Sequence, residues 1–320
     1  MTFGNVSLIG DIGGTNARFA LVEEGEAEPR AIRALPCADF DNLDHAIEDY
    51  LRSLGVNGVS RVCLAVASPV KGSRVKLTNS DWQFDIEEMR GRFGWRTFKV
   101  VNDFTAMALG VLHVGRKHLV PVCGGPGDPR RPILVIGPGT GLGVSGLVPI
   151  RGGWVPLVTE GGHVDFAPTN DLEFEVLRVL KARFGRVSVE RLLCGEGLLN
   201  LYRARAEVLD LPAPLESPEK ITVAAERQDA LARDTLNHFC ELLGRTAGNA
   251  VLTLGSLGGV YLCGGMVPRF LDFFLASPFR SGFEDKGRMR PLLESTPVYV
   301  VTDPYTGLRG AAEALANPEL

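Results

Sequence analysis

The sequence predicts an α/β protein built from two lobes, and three observations carry this prediction. The chain has 320 residues, whereas a typical domain contains about 150. Buried-strand patterns alternate with helical patterns, which is the rhythm of sheets flanked by helices. A strand, a glycine turn and a second strand also occur twice, near the N-terminus and again from residue 133. Two lobes of similar design are therefore expected.

The first half begins with a strand, a tight turn and a second strand. Apolar residues 6–9 lead into the turn 10–16, and residues 17–22 continue apolar. The elements predicted after this hairpin are a helix over 44–54, a strand over 61–67, a helix over 86–93, a strand over 97–101 and a helix over 104–112.

The second half starts the same pattern again, with a strand over 133–136, a turn over 137–141 and a strand over 142–149. Later elements are predicted as a helix over 171–184, a helix opened by a serine cap over 188–193, helical periodicity over 221–254, a strand over 259–263, helical residues 267–275, a strand over 298–302 and a closing helix over 307–316. We predict a small lobe of residues 1–110 plus 302–320 and a large lobe of residues 111–301.

Charge and hydropathy argue against two classes of partner. The 34 basic and 38 acidic residues give a net charge of -4, so no basic excess is available to neutralise nucleic acid. No apolar run approaches the roughly 20 residues of a membrane helix. The first residues lack a basic segment followed by an apolar one, as a secretory signal would require. We expect a cytoplasmic protein without nucleic-acid or membrane partners.

The six cysteines form no Cys-x-x-Cys pair, which argues against a zinc site or a redox pair. We interpret them as reduced, mostly buried thiols. The sequence also lacks a Gly-x-x-x-x-Gly-Lys-Ser/Thr phosphate loop. One Gly-x-Gly-x-x-Gly match occurs at Gly141, Gly143 and Gly146, but a strand-like run follows it, whereas a dinucleotide fold requires a helix there.

The two glycine turns are the motifs left to consider as ligand sites. Each alone is typical of an ordinary hairpin, but successive backbone amides in such turns can also hold phosphate oxygens. Together with five other segments, the two turns resemble bacterial glucokinases of the hexokinase-like group, within the fold of sugar kinases, actin and heat-shock chaperones. The resemblance rests on residues 8–18, 136–144, 101–106, 160–168, 188–193, 258–269 and 307–312. The ROK group of sugar kinases adds a zinc-binding cysteine cluster, which does not follow His163 here.

The resemblance implies two actin-like, ribonuclease H-like lobes with mixed sheets flanked by helices, and ATP and sugar in the cleft between them. It implies transfer of a phosphoryl group from ATP to the 6-hydroxyl of D-glucose, in line and without a covalent intermediate, with Asp103 as the general base. It also implies a homodimer and a Mg²⁺ ion that Asp11 orients through water.

The residues implied to contact glucose are Asn79, Asn102, Asp103, Glu160, His163 and Glu190. The residues implied to contact ATP are Gly10, Asp11, Ile12, Gly13, Gly14, Thr15, Asn16, Gly139, Thr140, Gly141, Gly264 and Gly265. A neutral, hydroxyl-rich substrate is well matched by carboxylates and amides. Taken singly, Asp103 is typical of a helix N-cap and His163 of a solvated or core histidine.

Other functions stay open from the sequence. A kinase for mannose or fructose would use the same chemistry. A sugar-sensing regulator or an actin-like filament ATPase belongs to a different class; because the sequence starts directly at the first hairpin, we expect no DNA-binding module. Glu196 stands where relatives commonly have an apolar residue or proline, and the sequence assigns it no role.

Overall fold

The computed structural model describes residues 6–56, 58–68, 70, 72–77 and 81–320. Strands in the described chain are β1 (Val6–Ile12), β2 (Asn16–Glu23), β3 (Arg30–Pro36), β4 (Arg61–Val66), β5 (Arg74–Lys76), β6 (Gln83–Asp85), β7 (Thr97–Asn102), β8 (Leu119–Cys123), β9 (Ile133–Pro138), β10 (Leu142–Ile150), β11 (Gly153–Leu157), β12 (Gly259–Leu262) and β13 (Val298–Val301). Its α-helices are α1 (Leu43–Ser53), α2 (Ile86–Phe93), α3 (Asp103–Gly110), α4 (Asp171–Phe184), α5 (Gly195–Val208), α6 (Pro218–Glu226), α7 (Ala230–Leu254), α8 (Leu271–Leu275), α9 (Phe279–Glu284), α10 (Arg290–Glu294) and α11 (Thr306–Ala316).

The chain forms two compact units. The first unit contains the chain up to Arg116 together with Ile150–Val158 and Asp303–Leu320, and the second contains Lys117–Pro149 and Thr159–Thr302. The predicted lobes lacked the segment Ile150–Val158. This segment carries β11, which packs against α3, and a contact between elements so far apart in sequence leaves no periodic signal.

The first unit is built on a five-stranded sheet of order β3-β2-β1-β4-β7. The β1–β2 and β2–β3 pairs are antiparallel, whereas β1–β4 and β4–β7 are parallel. The parallel register aligns Ile12, Val66 and Asn102 in one row. The carboxyl ends of β1, β4 and β7 therefore meet at one edge of the sheet, the edge where α/β proteins bind ligands.

The second unit repeats this arrangement. Five strands of its sheet lie in the order β10-β9-β12-β13-β8. The β9–β10 hairpin is antiparallel, and β9–β12 and β12–β13 are parallel. An antiparallel hairpin followed by two parallel strands thus occurs in both units, as the repeated sequence pattern predicts. The mixed α/β fold predicted from the sequence is confirmed.

Three predicted helices differ from the observed ones. Residues 188–193 contain only a 3-10 helix, Val189–Arg191, without a side-chain cap from Ser188. The α-helix starts later, as α5, where the Cys194 sulfur accepts a hydrogen bond from the Gly197 amide. The periodicity over 221–254 is divided into α6 and α7, because Asp229 caps a new helix start. Residues 267–275 combine a 3-10 turn, Val267–Phe270, with α8.

The helices α3 and α11 cross at backbone contact in the first unit. A Cβ atom on Gly310 would lie 1.6 Å from the Ala106 carbonyl oxygen, and one on Gly110 would lie 1.9 Å from the Thr306 carbonyl oxygen. Only glycine permits this approach, because the obstacle is the backbone of the other helix and cannot rotate away. The crossing fixes α3, the helix that follows Asn102, against the C-terminal helix.

We expect Gly310→Ala to lower the free energy of unfolding by about 3 kcal/mol, since the added methyl group must push two helices apart. Gly91→Ala is the matched control: Gly91 also lies within a helix, but a Cβ there would meet nothing within 4 Å. The control should be neutral or stabilising by up to about 1 kcal/mol. Urea denaturation of both variants measures the difference, and equal effects would contradict a close-packed crossing.

All six cysteines are free thiols, and every one except the half-buried Cys123 is buried. Burial raises the pKa of the Cys63 and Cys240 thiols to about 12, so these sulfurs are not nucleophiles near neutral pH. This agrees with the prediction of reduced core thiols. Among the described residues, no helix combines the length and apolar character that crossing a membrane requires.

A fully buried carboxylate lies in the second unit, at Glu173 on α4. Its oxygens accept two hydrogen bonds from Arg245, at 2.7 and 3.0 Å, and a third from the Thr169 backbone amide at 2.7 Å. The His238 Nε2 atom lies 3.1 Å from it, and Arg205 Nη1 lies 3.0 Å from His238 Nδ1. Arg205 can only donate, so His238 Nδ1 accepts from it and His238 Nε2 is the donor that faces Glu173.

Candidate active site

The carboxyl end of β7 places two predicted residues at the edge where the parallel strands of the first unit's sheet end. Asn102 caps α3, and its side-chain oxygen accepts from the Phe104 and Thr105 amides at 2.9 and 3.2 Å. Asp103 is the first residue of α3 and is half-buried. Its Oδ1 accepts from the Phe104 amide at 2.8 Å. The alternative that Asp103 is only the N-cap of α3 is wrong, because Asn102 caps this helix.

Asp11 lies at the same edge, near the end of β1. Its carboxylate is 3.6 Å from the Arg18 guanidinium and keeps 26% of its side chain exposed. Burial raises the pKa of this carboxyl, and the charge of Arg18 offsets part of the increase. A Cβ on Gly307 would lie 3.3 Å from Asp11 Oδ2, so the first turn of α11 lies directly beside the carboxylate.

These surroundings fit one particular kind of metal site. No cluster of three or more metal-ligating side chains occurs in the described ranges. Magnesium commonly takes one or two protein carboxylates and completes its shell with water and substrate phosphates. A single, partly exposed carboxylate such as Asp11 matches that donor set and would not make a cage formed by protein alone.

The first hairpin joins β1 to β2 through a turn at Gly13, Gly14 and Thr15, and the Gly13 amide donates to the Asn16 carbonyl at 3.0 Å. Thr15 and Asn16 are exposed. Gly10 and Ile12 lie within β1 and are buried. A Cβ on Gly10 would lie 2.7 Å from Leu64 Cδ2, so core packing favours a glycine there. The structure thus puts the turn residues, but not Gly10 or Ile12, at the surface.

The second hairpin, formed by β9, the turn Gly139–Thr140–Gly141 and β10, lies close to the turn after β12. A Cβ on Gly137 would lie 1.9 Å from the Cys263 carbonyl oxygen, and one on Gly264, whose φ is +89°, would lie 2.7 Å from the Pro138 carbonyl oxygen. These two glycines therefore permit the backbones to touch. A cavity of about 340 Å³ opens beside them and is lined by Gly139, Thr140 and Gly265.

The same cavity has lining residues that the sequence reasoning missed: Gly195, Pro218, Glu219, Thr222, Met266, Arg269 and Phe270. Gly195 begins α5, and three of the others belong to α6. Met266 and Arg269 lie in the segment 258–269, so the resemblance of this segment to bacterial glucokinases could have indicated them as site residues. Nothing in the sequence indicates that α6 lines this cavity. Gly141 and Gly264 adjoin the cavity without lining it.

Three predicted residues of the second unit converge; we call Glu160, His163 and Glu190 the carboxylate cluster. His163 Nε2 is 4.0 Å from Glu160 Oε2, and His163 Nδ1 is 3.8 Å from Glu190 Oε1. Glu160 and His163 are more than half exposed, whereas Glu190 keeps 28% of its side chain exposed. The cluster therefore offers the Glu160 carboxylate, Glu190 Oε1 and an imidazole to a ligand that reaches it from solvent.

The segment that carries Glu160 and His163 is pressed against β10. A Cβ on Gly162 would lie 2.1 Å from the Leu142 carbonyl oxygen, and one on Gly161 would lie 2.9 Å from Val144 Cβ. Thr159 also donates its hydroxyl to the Val144 carbonyl at 2.6 Å. The Gly161–Gly162 pair is thus needed for contact with the second hairpin.

Two further residues were singled out from the sequence, Asn79 and Glu196. Asn79 lies outside the described residues. Glu196 is exposed in the first turn of α5, where the helix N-terminus favours a negative charge. That position accounts for an acidic residue without giving it a role toward a ligand.

Comparison with known proteins connects this geometry to a family. A family model described as glucokinase matches residues 8–318. The chain belongs to the glucokinase family. It is 70% identical to a glucokinase of Marinobacter nauticus, with all of both chains covered. The family predicted from the sequence is confirmed.

Solved structures agree with the assignment. A crystal structure of glucokinase from an Antarctic psychrotroph is 36% identical, with a TM-score of 0.90, and the match covers 98% of this chain and all of that one. A ROK family glucokinase from Streptomyces griseus, solved with glucose and AMPPNP, has a TM-score of 0.63 at 20% identity, covering 97% of this chain and 98% of that one. The second likeness shows the shared fold alone, and the actin-like fold expected from the sequence is confirmed.

Proposed function

We propose that this chain transfers the γ-phosphoryl group of ATP to the 6-hydroxyl of D-glucose, giving glucose 6-phosphate for glycolysis. The observation that carries the proposal is the position of the carboxylate cluster directly on the second hairpin. Glu160, His163 and Glu190 supply acceptors for sugar hydroxyls, while the turn Gly139–Thr140–Gly141 presents backbone amides suited to phosphate. The proposed sugar contacts and the proposed nucleotide contacts thus adjoin within one unit.

The proposed base is Asp103. Direct transfer needs a carboxylate that accepts the proton of the attacking hydroxyl. Asp103 directly follows the carboxyl end of β7 and does not serve as the helix cap. The 6-hydroxyl loses its proton to Asp103 as its oxygen bonds to the γ-phosphorus and the bond to the ADP oxygen breaks. We propose that Asn102 donates from its amide nitrogen to glucose and that Asn79 also contacts the sugar.

The nucleotide contacts are proposed for the two hairpin turns and for Gly264 and Gly265. Magnesium, when bound through Asp11 and water, would neutralise charge on the phosphates. The protein's own net charge of -4 makes such a counter-charge necessary beside a nucleotide tetraanion. We expect activity to fall to background when a chelator removes Mg²⁺ and to return when the ion is added back; undiminished turnover in the chelator would contradict the assignment of Asp11.

A panel of sugars tests the substrate. Purified protein is assayed for ADP release with glucose, mannose and fructose, using ATP, ADP or polyphosphate as the donor. We expect the highest kcat/KM with glucose and ATP. If mannose or fructose is preferred, the chain is a kinase for that sugar instead. ADP release that does not depend on any sugar would contradict the proposed reaction class.

We further propose that the protein acts in the cytoplasm as a homodimer. The proposal rests on the family to which the chain belongs. Light scattering coupled to size-exclusion chromatography should give twice the chain mass of 34.5 kDa, whereas a mass equal to one chain would overturn the homodimer.

A further inference from the structure

The two carboxylate oxygens of Glu190 contact two different segments of the chain. Oε1 lies 3.8 Å from His163 Nδ1, within the carboxylate cluster. Oε2 accepts a hydrogen bond of 2.8 Å from the backbone amide of Leu142. Leu142 is the first residue of β10 and directly follows the turn of the second hairpin. One side chain therefore connects the cluster to the hairpin.

The turn is shaped around this carboxylate. A Cβ on Gly141 would lie 2.6 Å from Glu190 Oε2, so the missing side chain leaves the oxygen room to reach the Leu142 amide. The φ of Gly141 is not positive, so the backbone conformation alone does not require glycine at this position. The close approach of Glu190 supplies the reason.

A second bond joins the same two segments. The Gly195 amide, five residues after Glu190, donates to the Gly139 carbonyl at 2.9 Å. The turn is thus held at both ends by one stretch of chain. The Gly195 bond uses backbone atoms only, whereas the Glu190 bond depends on a side chain whose other oxygen faces the proposed sugar.

We propose that Glu190 is a positioning residue for the nucleotide, holding the phosphate-binding turn through Leu142 in addition to contacting sugar. The inference rests on the proposed function, in which the second hairpin binds ATP. A charged acceptor makes the bond to Leu142 stronger than one between neutral groups. Loss of the bond should therefore loosen the turn and weaken nucleotide binding even when no sugar is present.

Three variants separate the two roles of Glu190. Glu190→Asp keeps the charge but shortens the side chain by one methylene, which withdraws it from the Leu142 amide. Glu190→Gln keeps the length and one acceptor oxygen but removes the charge. Glu160→Ala is the matched control, because it removes a carboxylate from the same cluster and Glu160 has no side-chain bond to the turn among the described contacts. AMPPNP with Mg²⁺ is titrated into each protein without sugar, and glucose is titrated separately.

We expect Glu190→Asp to weaken AMPPNP binding about tenfold, the effect of one lost charge-assisted bond. Glu190→Gln should stay within about threefold of the unaltered protein, and Glu160→Ala within twofold, while both weaken glucose binding. Hydrogen exchange at the Leu142 amide should be faster in Glu190→Asp than in Glu160→Ala. This readout does not depend on turnover.

AMPPNP affinity within twofold of the unaltered protein in Glu190→Asp, with unchanged exchange at Leu142, would overturn the positioning role. The proposed function fails in a different way, by the absence of glucose phosphorylation in the unaltered protein. Thermal melting of each variant checks that the fold is retained. If Glu190→Asp unfolds, Glu190→Gln decides through the exchange rate at Leu142, which must then be faster than in Glu160→Ala; an equal rate would overturn the positioning role.

Discussion

Asp103→Ala is expected to lower kcat for glucose phosphorylation by about 10²- to 10⁴-fold, the usual contribution of a positioned general base. Glucose binding should stay within about tenfold, because a base acts chiefly in the transition state. Asp103→Asn should lose turnover to a similar degree, since the amide keeps the shape but cannot accept the proton. Steady-state kinetics give kcat, and calorimetric titration gives the Kd for glucose.

The chain offers a matched control at the start of another helix. Asn170 caps α4 and Asp171 is its first residue, just as Asn102 caps α3 before Asp103. Asp171→Ala removes the same charge from the same helix position and should cost about 0.5 kcal/mol of stability without changing kcat. An unchanged kcat in Asp103→Ala would remove this residue from the role of base.

Glu173→Ala is expected to lower the free energy of unfolding by about 3 kcal/mol, because it removes the buried carboxylate that accepts two hydrogen bonds from Arg245 and leaves this largely buried guanidinium paired with Glu241. The Thr169 amide would lose its acceptor as well. Denaturation in urea, followed by circular dichroism, measures the loss. Glu175→Ala is the matched control on the same helix. Glu175 pairs with Arg178 at the surface, where both side chains are largely exposed, and such a pair contributes about 0 to 1 kcal/mol.

The contribution of Glu173 should also depend on pH. Burial raises the pKa of its carboxyl, but the hydrogen bonds from His238, Arg245 and Thr169 outweigh this and hold the pKa well below its ordinary value. A carboxyl with a depressed pKa in the folded state stabilises the protein above its unfolded pKa of about 4.3. The difference in stability between the unaltered protein and Glu173→Gln should be constant from pH 7 to 5 and shrink below pH 4. A difference that grows on acidification would contradict an ionised Glu173.

The sequence predicted those parts of the fold that depend on local patterns. The hairpins at 10–16 and 137–141 could be predicted because glycines interrupt strongly apolar runs, and the strands at 61–67 and 298–302 because most of their residues are apolar. The helix expected at 188–193 was wrong, since Ser188 makes no cap and the chain instead turns so that Glu190 reaches Leu142. Local spacing carries no information about a partner 48 residues away.

The candidate site was predictable to a similar extent. Motif resemblance indicated Glu160, His163 and Glu190, which converge in the structure. It did not indicate the contribution of α6 to the cavity beside Gly139, because Pro218, Glu219 and Thr222 reach it only through the packing of one helix on another. Nor could it distinguish Gly10, which packing explains, from the turn glycines, because both kinds occur in one glycine-rich run.

Because the chain is synthesised from the N-terminus to the C-terminus, α3 is translated long before α11. The glycine crossing at Gly110 and Gly310 means that α3, which begins with Asp103, lacks its packing partner until residues 303–320 have been made. Two bonds add to this dependence, because Lys99 on β7 donates to the Ala314 and Asn317 carbonyls at 3.0 and 2.7 Å. Domains usually fold in the order of their synthesis. Here the unit that begins first is completed last. In a nascent chain, α3 and its first residue Asp103 are therefore packed in place only after the second unit has been translated.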